Sequence, residues 1–141
     1  ATAKATWFGI NSHHSTADLA YAVAEGVGFG LRDGLDTLAL CPTDALSVVG
    51  GGTRSVWWLQ LLASIFQRNL QLLSGAQTGA ALGAARLGWL ATLPQTDESI
   101  AHVCIPPKVE MTFTPASVDH SILNERYQRF RALYQATKHL M

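Results

Sequence analysis

Ala45-Leu-Ser-Val-Val-Gly-Gly-Gly-Thr-Arg-Ser-Val-Trp-Trp58 is the stretch on which the rest of the chain turns. Leu46, Val48 and Val49 form a short, β-branched apolar run that reads as a buried strand. Three glycines follow, then Thr53, Arg54 and Ser55, and then a strongly apolar segment. Glycines remove every Cβ and permit positive φ, so a flat or charged group can approach the backbone. Ser55 suits the N-cap of the next helix, and helix N-termini attract anions and polar ligand atoms. Strand, bare turn and helix start together mark the place where an α/β domain presents a ligand. The same letters also suit a tight connection with no ligand.

Two familiar nucleotide motifs fail here. A dinucleotide fingerprint needs a third glycine where Ser55 stands, and no acid lies about twenty residues on to hold a ribose. A P-loop closes on Gly-Lys-Ser/Thr, and the chain has no Gly-Lys pair.

Outward from this stretch, 141 residues amount to about one domain, long enough to bury a core. Only 14% are charged against 48% apolar, a shortage that suggests much of the outside is covered by something else. Zero net charge and no basic stripe argue against nucleic acid. Cys41 and Cys104 lie far apart without zinc spacing, and fit a reduced setting. With no signal peptide and no membrane-length apolar span, the chain reads as cytoplasmic.

Before the glycines, residues 5–10 read as a short strand and 11–15 as a polar turn. His13 and His14 are adjacent and diverge, so a shared metal is not expected. Ser15 or Thr16 caps a helix running to about Leu40, with Leu19, Val23, Val27, Leu31, Leu35 and Leu38 at helical spacing. Ala22, Gly26, Gly30 and Gly34 add a small-residue ridge, and each interior glycine costs about 1 kcal/mol relative to alanine. Close approach of another element across that ridge would compensate. Internal charges at Glu25, Arg32, Asp33 and Asp36 speak against a membrane dimer. A loop at Cys41-Pro-Thr-Asp44 leads into the strand.

After the glycines, a helix over 55–68 is apolar on nearly every side, so it is buried on more than one face or lacks part of its covering. Core packing is the favoured reading of Trp57 and Trp58 over base stacking. Residues 70–73 give a strand, and Thr78 caps a helix with small residues at Gly79 and Gly83. The alternation implies a layered α/β arrangement. Residues 92–115 lose the pattern at four prolines, with a short edge strand over 108–113. His102 and Cys104 would share a strand face, too few ligands for a metal. A final helix from Ser117 carries Leu123, Tyr127, Phe130, Tyr134 and Thr137 on one face, with Arg126, Arg129 and Arg131 solvated.

Several of these motifs, in this order, resemble the C-terminal part of FGGY-family carbohydrate kinases, most closely the xylulose kinases. They are Ala5, Trp7 and Gly9-Ile10; then Asp18-Leu19, Ala22-Val23 and Glu25-Gly26; then the 49–55 glycine turn; then 78–85; and finally Phe113-x-Pro115 with the Tyr127, Phe130, Tyr134 helix. Ala24 stands where the family has a bulkier residue, Ser64 and Gln67 where it commonly has Asp and Gly, and Asn11-Ser12 where xylulose kinases have Thr-His. The resemblance covers residues 1–141 as a partial C-terminal domain. It implies an α/β, actin-like and ribonuclease-H-like ATPase fold, one of two lobes that close over ATP and sugar. It also implies that Gly51, Gly52 and Ser55 contact the adenosine, flanked by Gly50, Thr53 and Arg54.

The implied reaction is transfer of the ATP γ-phosphoryl group to a sugar hydroxyl, with Mg²⁺, and xylulose as the expected sugar. Ribulose, gluconate and glycerol are the alternatives within the family. The family's aspartate base and phosphate loops lie upstream, and none of Asp18, Asp33, Asp36 or Asp44 occupies its motif, so no catalytic residue is expected here. Implied partners are ATP or ADP, a small sugar and the upstream lobe, with a homodimer left open. The competing reading is a non-catalytic interaction module that kept the fold.

Overall fold

α2 (Val56–Phe66) lies between two packed layers and touches both. This computed structural model describes residues 5–38, 45–117 and 120–140. The chain order is α1 (Thr16–Thr37), β1 (Ala45–Val48), α2, β2 (Asn69–Leu73), α3 (Gly79–Leu90), α4 (Asp97–Val103), β3 (Val109–Phe113) and α5 (His120–Thr137). The sheet order is β1-β2-β3, with β1 parallel to β2 and β3 antiparallel to β2. Leu46 pairs with Leu70 and Val48 with Leu72 in one ladder, and Leu70 pairs with Phe113 in the other. The α/β expectation holds.

The apolar faces of α2 explain its composition. Leu59, Leu62 and Ala63 join Leu70 and Phe113 against the sheet. Leu61 and Ile65 join Phe29 of α1 with Leu123 and Tyr127 of α5. Trp58 packs against both clusters, as expected for a core residue, whereas Trp57 is half exposed and meets Tyr21 edge-on at 6.0 Å. Burial of one such aliphatic side chain contributes about 1.5–3 kcal/mol.

α1 begins at a capping box. The Ser15 hydroxyl accepts from the Asp18 amide, and the Asp18 carboxylate accepts from the Ser15 amide at 2.7 Å. Those bonds, the backbone one first, hold the Asp18 carboxyl below its ordinary range. The helix is turned differently from its apolar stripe. Gly28 and Phe29 are its buried residues, while Val23, Val27, Leu31 and Leu38 are exposed. A Cβ at Gly28 would stand 2.5 Å from Ile65 Cδ1, so this glycine admits α2. At Gly26, Gly30 and Gly34 a Cβ would meet nothing within 4 Å among the described residues. The expected close approach therefore occurs beside the ridge and not across it.

Other expectations need correction. Residues 5–10 form no strand, because no described strand lies alongside to supply hydrogen bonds, and Trp7, Phe8 and Ile10 are exposed. Val49 lies beyond β1 and is exposed. Residues 92–115 hold a helix as well as β3: the Thr96 hydroxyl accepts from the Ser99 amide, and Asp97 and Glu98 occupy the first turn of α4. His102 is therefore helical and packs edge-on to Trp89 at 5.4 Å. The expected loop at Cys41-Pro-Thr-Asp44, the helix end at Leu40 and residues 118–119 before α5 lie outside the described residues.

The α5 arginines are exposed, as expected of a solvated face, and two of them also reach α1. Arg126 reaches Glu25 at 2.9 Å and Arg131 reaches Asp33 at 3.4 Å, both on α1, while Arg129 pairs with Glu125 on its own helix. Between them the Tyr127 hydroxyl donates to Asp33 Oδ1 at 2.5 Å and is 3.2 Å from Asp36 Oδ2, with the Arg32 guanidinium 4.0 Å over its ring. Burial, then the two carboxylates, pushes the phenol up from 10.0 to about 12. An acid whose folded pKa is raised stabilises the fold while protonated in both states. Stability is accordingly expected to fall as pH rises from about 10 to about 12, and Tyr127→Phe should abolish that step in a pH series of melts.

Gln67 ends α2 in the left-handed region, φ 53° and ψ 39°, as the one described non-glycine with positive φ. Its side chain donates to the Ser64 carbonyl at 2.5 Å, which offsets part of the strain. Glycine takes this C-terminal position without penalty. Gln67→Gly should raise stability by about 0.5–1 kcal/mol, read as an increased denaturation midpoint at constant m. Ser64, where the family commonly has Asp, is buried; its hydroxyl donates to the Gln60 carbonyl and accepts from the Ala116 amide. It ties α2 to the segment before α5.

Candidate nucleotide-facing turn

β1 ends at Val48, and Gly50 takes φ 104°, a conformation that a side chain would strain. Gly51–Arg54 then forms one 3₁₀ turn before α2. The Gly50 carbonyl accepts from the Thr53 amide at 3.1 Å and the Thr53 hydroxyl at 2.7 Å. Thr53 is buried, so its hydroxyl is spent inside the turn. Gly51, Gly52 and Ser55 lie at the surface. A Cβ at Gly50 or Gly51 would meet nothing within 4 Å, whereas one at Gly52 would touch the Trp58 indole at 3.4 Å. Trp58 thus backs the turn on one side and leaves the other bare.

Ser55 is the N-cap of α2: its oxygen accepts from the Trp58 amide at 3.2 Å. A hydroxyl carries one donor besides its acceptor pairs, so the Ser55 proton remains available to a polar partner. The N-terminal amides of α2 add the positive end of the helix dipole at the same point. Arg54 leans away, its Nε donating to Gln77 Oε1 at 3.1 Å. The six expected residues therefore come together in one turn with divided roles. Gly51 and Ser55 face outward, Gly52 is exposed but backed by Trp58, Gly50 and Thr53 shape the backbone, and Arg54 binds a neighbouring turn.

That neighbour, the 3₁₀ turn Ala76–Thr78, was not anticipated as part of this region. Its Ala76 carbonyl accepts from the Gly50 amide at 2.8 Å. A Cβ at Gly79 would stand 3.0 Å from Val49 Cβ, so this glycine does permit close packing, while Gly83 faces open space. Thr78 precedes α3, but its hydroxyl donates to the Gly75 carbonyl and caps nothing. Gly75 itself has φ 73°. Serine and glycine at 74–75 gave the sequence signal of a turn, but not its location.

Residues 50–55 contain no carboxylate, and among the described residues no group of three or more His, Cys, Asp or Glu could hold a metal ion. The turn does not fit a resident Mg²⁺. Such an ion commonly arrives on substrate phosphates held by one or two carboxylates, and these residues supply none.

A model of the FGGY family of carbohydrate kinases, C-terminal domain, matches residues 1–92, which include α1, β1, the turn, α2, β2 and α3. The chain belongs to the FGGY family of carbohydrate kinases. A xylulose kinase of Escherichia coli K12 is 36% identical over 141 residues, covering 99% of this chain and 29% of that protein. One from Klebsiella pneumoniae is 42% identical over 97 residues, 67% of this chain and 20% of its own length. Among solved structures, a xylulose kinase from Brucella ovis superposes with a TM-score of 0.80 at 36% identity, over 96% of this chain and 28% of that one. The actin-like expectation thus holds for this FGGY chain, which spans less than a third of the relatives it matches. Among the described residues no helix is long and apolar enough to cross a membrane.

Proposed function

We propose that this chain, over residues 1–141, is the adenosine-side part of an ATP-dependent carbohydrate kinase whose sugar is D-xylulose and whose product is D-xylulose 5-phosphate. The observation that carries the reading is the bare outer side of the turn at Gly51, beside a Ser55 hydroxyl with a proton to donate. A planar base lies against glycine backbone without meeting a Cβ, and Ser55 gives one directional contact.

The γ-phosphoryl group passes to a sugar hydroxyl, a reaction that depends on positioning and on neutralising charge around the phosphates. This chain's share is to hold the nucleoside end. Mg²⁺, the carboxylate that receives the hydroxyl proton and the sugar contacts come with the upstream lobe. An apolar groove of about 790 Å³ runs between α1 and β1, lined by Gly30, Gly34, Leu46 and Val48 and reaching the inner side of the turn at Gly52 and Trp58. The outer edge of β1 has no strand partner among the described residues. Unpaired strand edges and exposed apolar side chains are normally covered. The upstream polypeptide is the proposed cover, and the cytoplasm the proposed setting.

The exposed α1 stripe also favours a second reading, a non-catalytic module that binds another protein or a second copy. Joining the chain to an upstream lobe and assaying ATP-dependent phosphorylation of xylulose, ribulose, gluconate and glycerol separates the two. Turnover is expected, fastest on xylulose, with none from the chain alone. A folded, joined protein inactive on all four sugars would overturn the kinase reading.

A further inference from the structure

We propose that the turn over residues 75–79 is a positioning element for nucleotide binding, acting through Gly50 and Val49 and making no ligand contact itself. This rests on the nucleotide reading above. Three contacts converge on the glycine turn from this one segment. The Ala76 carbonyl takes the Gly50 amide at 2.8 Å, Gly79 lies bare under Val49, and Gln77 holds Arg54.

The reason is mechanical. Glycines at 50, 51 and 52 give the backbone the freedom that admits a ligand, and the same freedom lets the turn wander. A binding surface made of backbone must be held from behind. Ala76 is buried, so its carbonyl is a fixed acceptor, and its bond to Gly50 sets the orientation at the start of the turn. Gly79 opens α3, and its missing Cβ lets Val49 seat against the helix start, fixing the residue just before the glycines. Gly83, one helical turn further on, faces open space and serves none of this. The small residues of α3 are therefore not equivalent.

The test uses the 141-residue chain with Gly79→Val, Gly79→Ala and Gly83→Val, each titrated with ATP by calorimetry. Gly50 amide exchange and melting midpoint are measured in parallel. Gly79→Val is expected to speed Gly50 exchange and weaken ATP binding roughly tenfold, equivalent to about 1.4 kcal/mol. Gly79→Ala should do so less, Gly83→Val should do neither, and Val49→Ala in the Gly79→Ala protein should restore part of the affinity. Faster Gly50 exchange with unchanged ATP affinity would overturn the proposal while leaving the nucleotide reading intact. Equal loss in Gly83→Val would also overturn it, as a general defect of α3. A folded wild-type chain that binds no ATP would overturn the nucleotide reading, and this inference with it.

Discussion

Ile65→Ala is expected to cost about 2–5 kcal/mol of unfolding free energy, the range for truncating a fully buried aliphatic side chain. Ile65 is 0% exposed and packs among Phe29, Leu61, Leu123 and Tyr127, where α1, α2 and α5 meet. No water can enter to refill the space, and three helices would have to move to close it. Denaturant melts of the variant should show a lower midpoint with an unchanged slope. The partner substitution is informative. A Cβ at Gly28 would stand 2.5 Å from Ile65 Cδ1, the end of a fully buried side chain that would have to repack. Gly28→Ala should therefore cost up to about 2 kcal/mol, overpacking of about 1–3 kcal/mol less the roughly 1 kcal/mol that alanine contributes in a helix interior. Ile65→Val removes Cδ1, so Gly28→Ala should cost markedly less in that background. Additive losses would mean that α1 and α2 do not meet at this point.

Gly51→Val is expected to leave the melting midpoint close to wild type and to weaken ATP and ADP binding by roughly tenfold or more, a loss of about 1.4 kcal/mol or more of contact. A Cβ here meets nothing within 4 Å, so the fold has room for the branched side chain and the proposed base does not. The two substitutions thus act oppositely. Ile65→Ala should remove stability at a site away from the turn, and Gly51→Val should remove binding at little cost in stability. An unchanged nucleotide affinity in a folded Gly51→Val protein would mean that the outer side of the turn is not the contact surface.

Much of this was legible in the letters because local chemistry and global fold agree. A β-branched run, three glycines and an N-cap serine before an apolar segment became β1, a 3₁₀ turn and α2. The all-round apolarity of α2 correctly signalled burial on two faces. What failed depended on partners the sequence does not name. Residues 5–10 have strand-like letters, yet a strand needs a neighbour, and none is described beside them. The α1 stripe has helical spacing, yet α1 packs through Phe29 and Gly28, so periodicity identified the helix and not its buried side. α4 was hidden by Pro94, Pro106 and Pro107, which bound it on both sides without entering it.

Within the turn, the expected residues Gly50, Gly51, Gly52, Thr53, Arg54 and Ser55 were found adjacent because they are contiguous. Their division into outward-facing and inward-facing members follows from hydrogen bonds that the sequence does not display. Thr53 looks like a ligand contact by position, yet its hydroxyl is already bonded to Gly50. The support from Ala76 and Gly79 crosses more than twenty residues, and spacing alone does not reveal it.

The proposed nucleotide lies on the bare side of this turn, and ATP titration of the chain followed by backbone amide NMR reads that placement residue by residue. Saturable shifts concentrated at Gly51 and Ser55, with little change at Gly30, Gly34 and Leu46 in the groove between α1 and β1, are the predicted result. No saturable shift in a folded chain, or shifts centred on Gly30, Gly34 and Leu46, would contradict it.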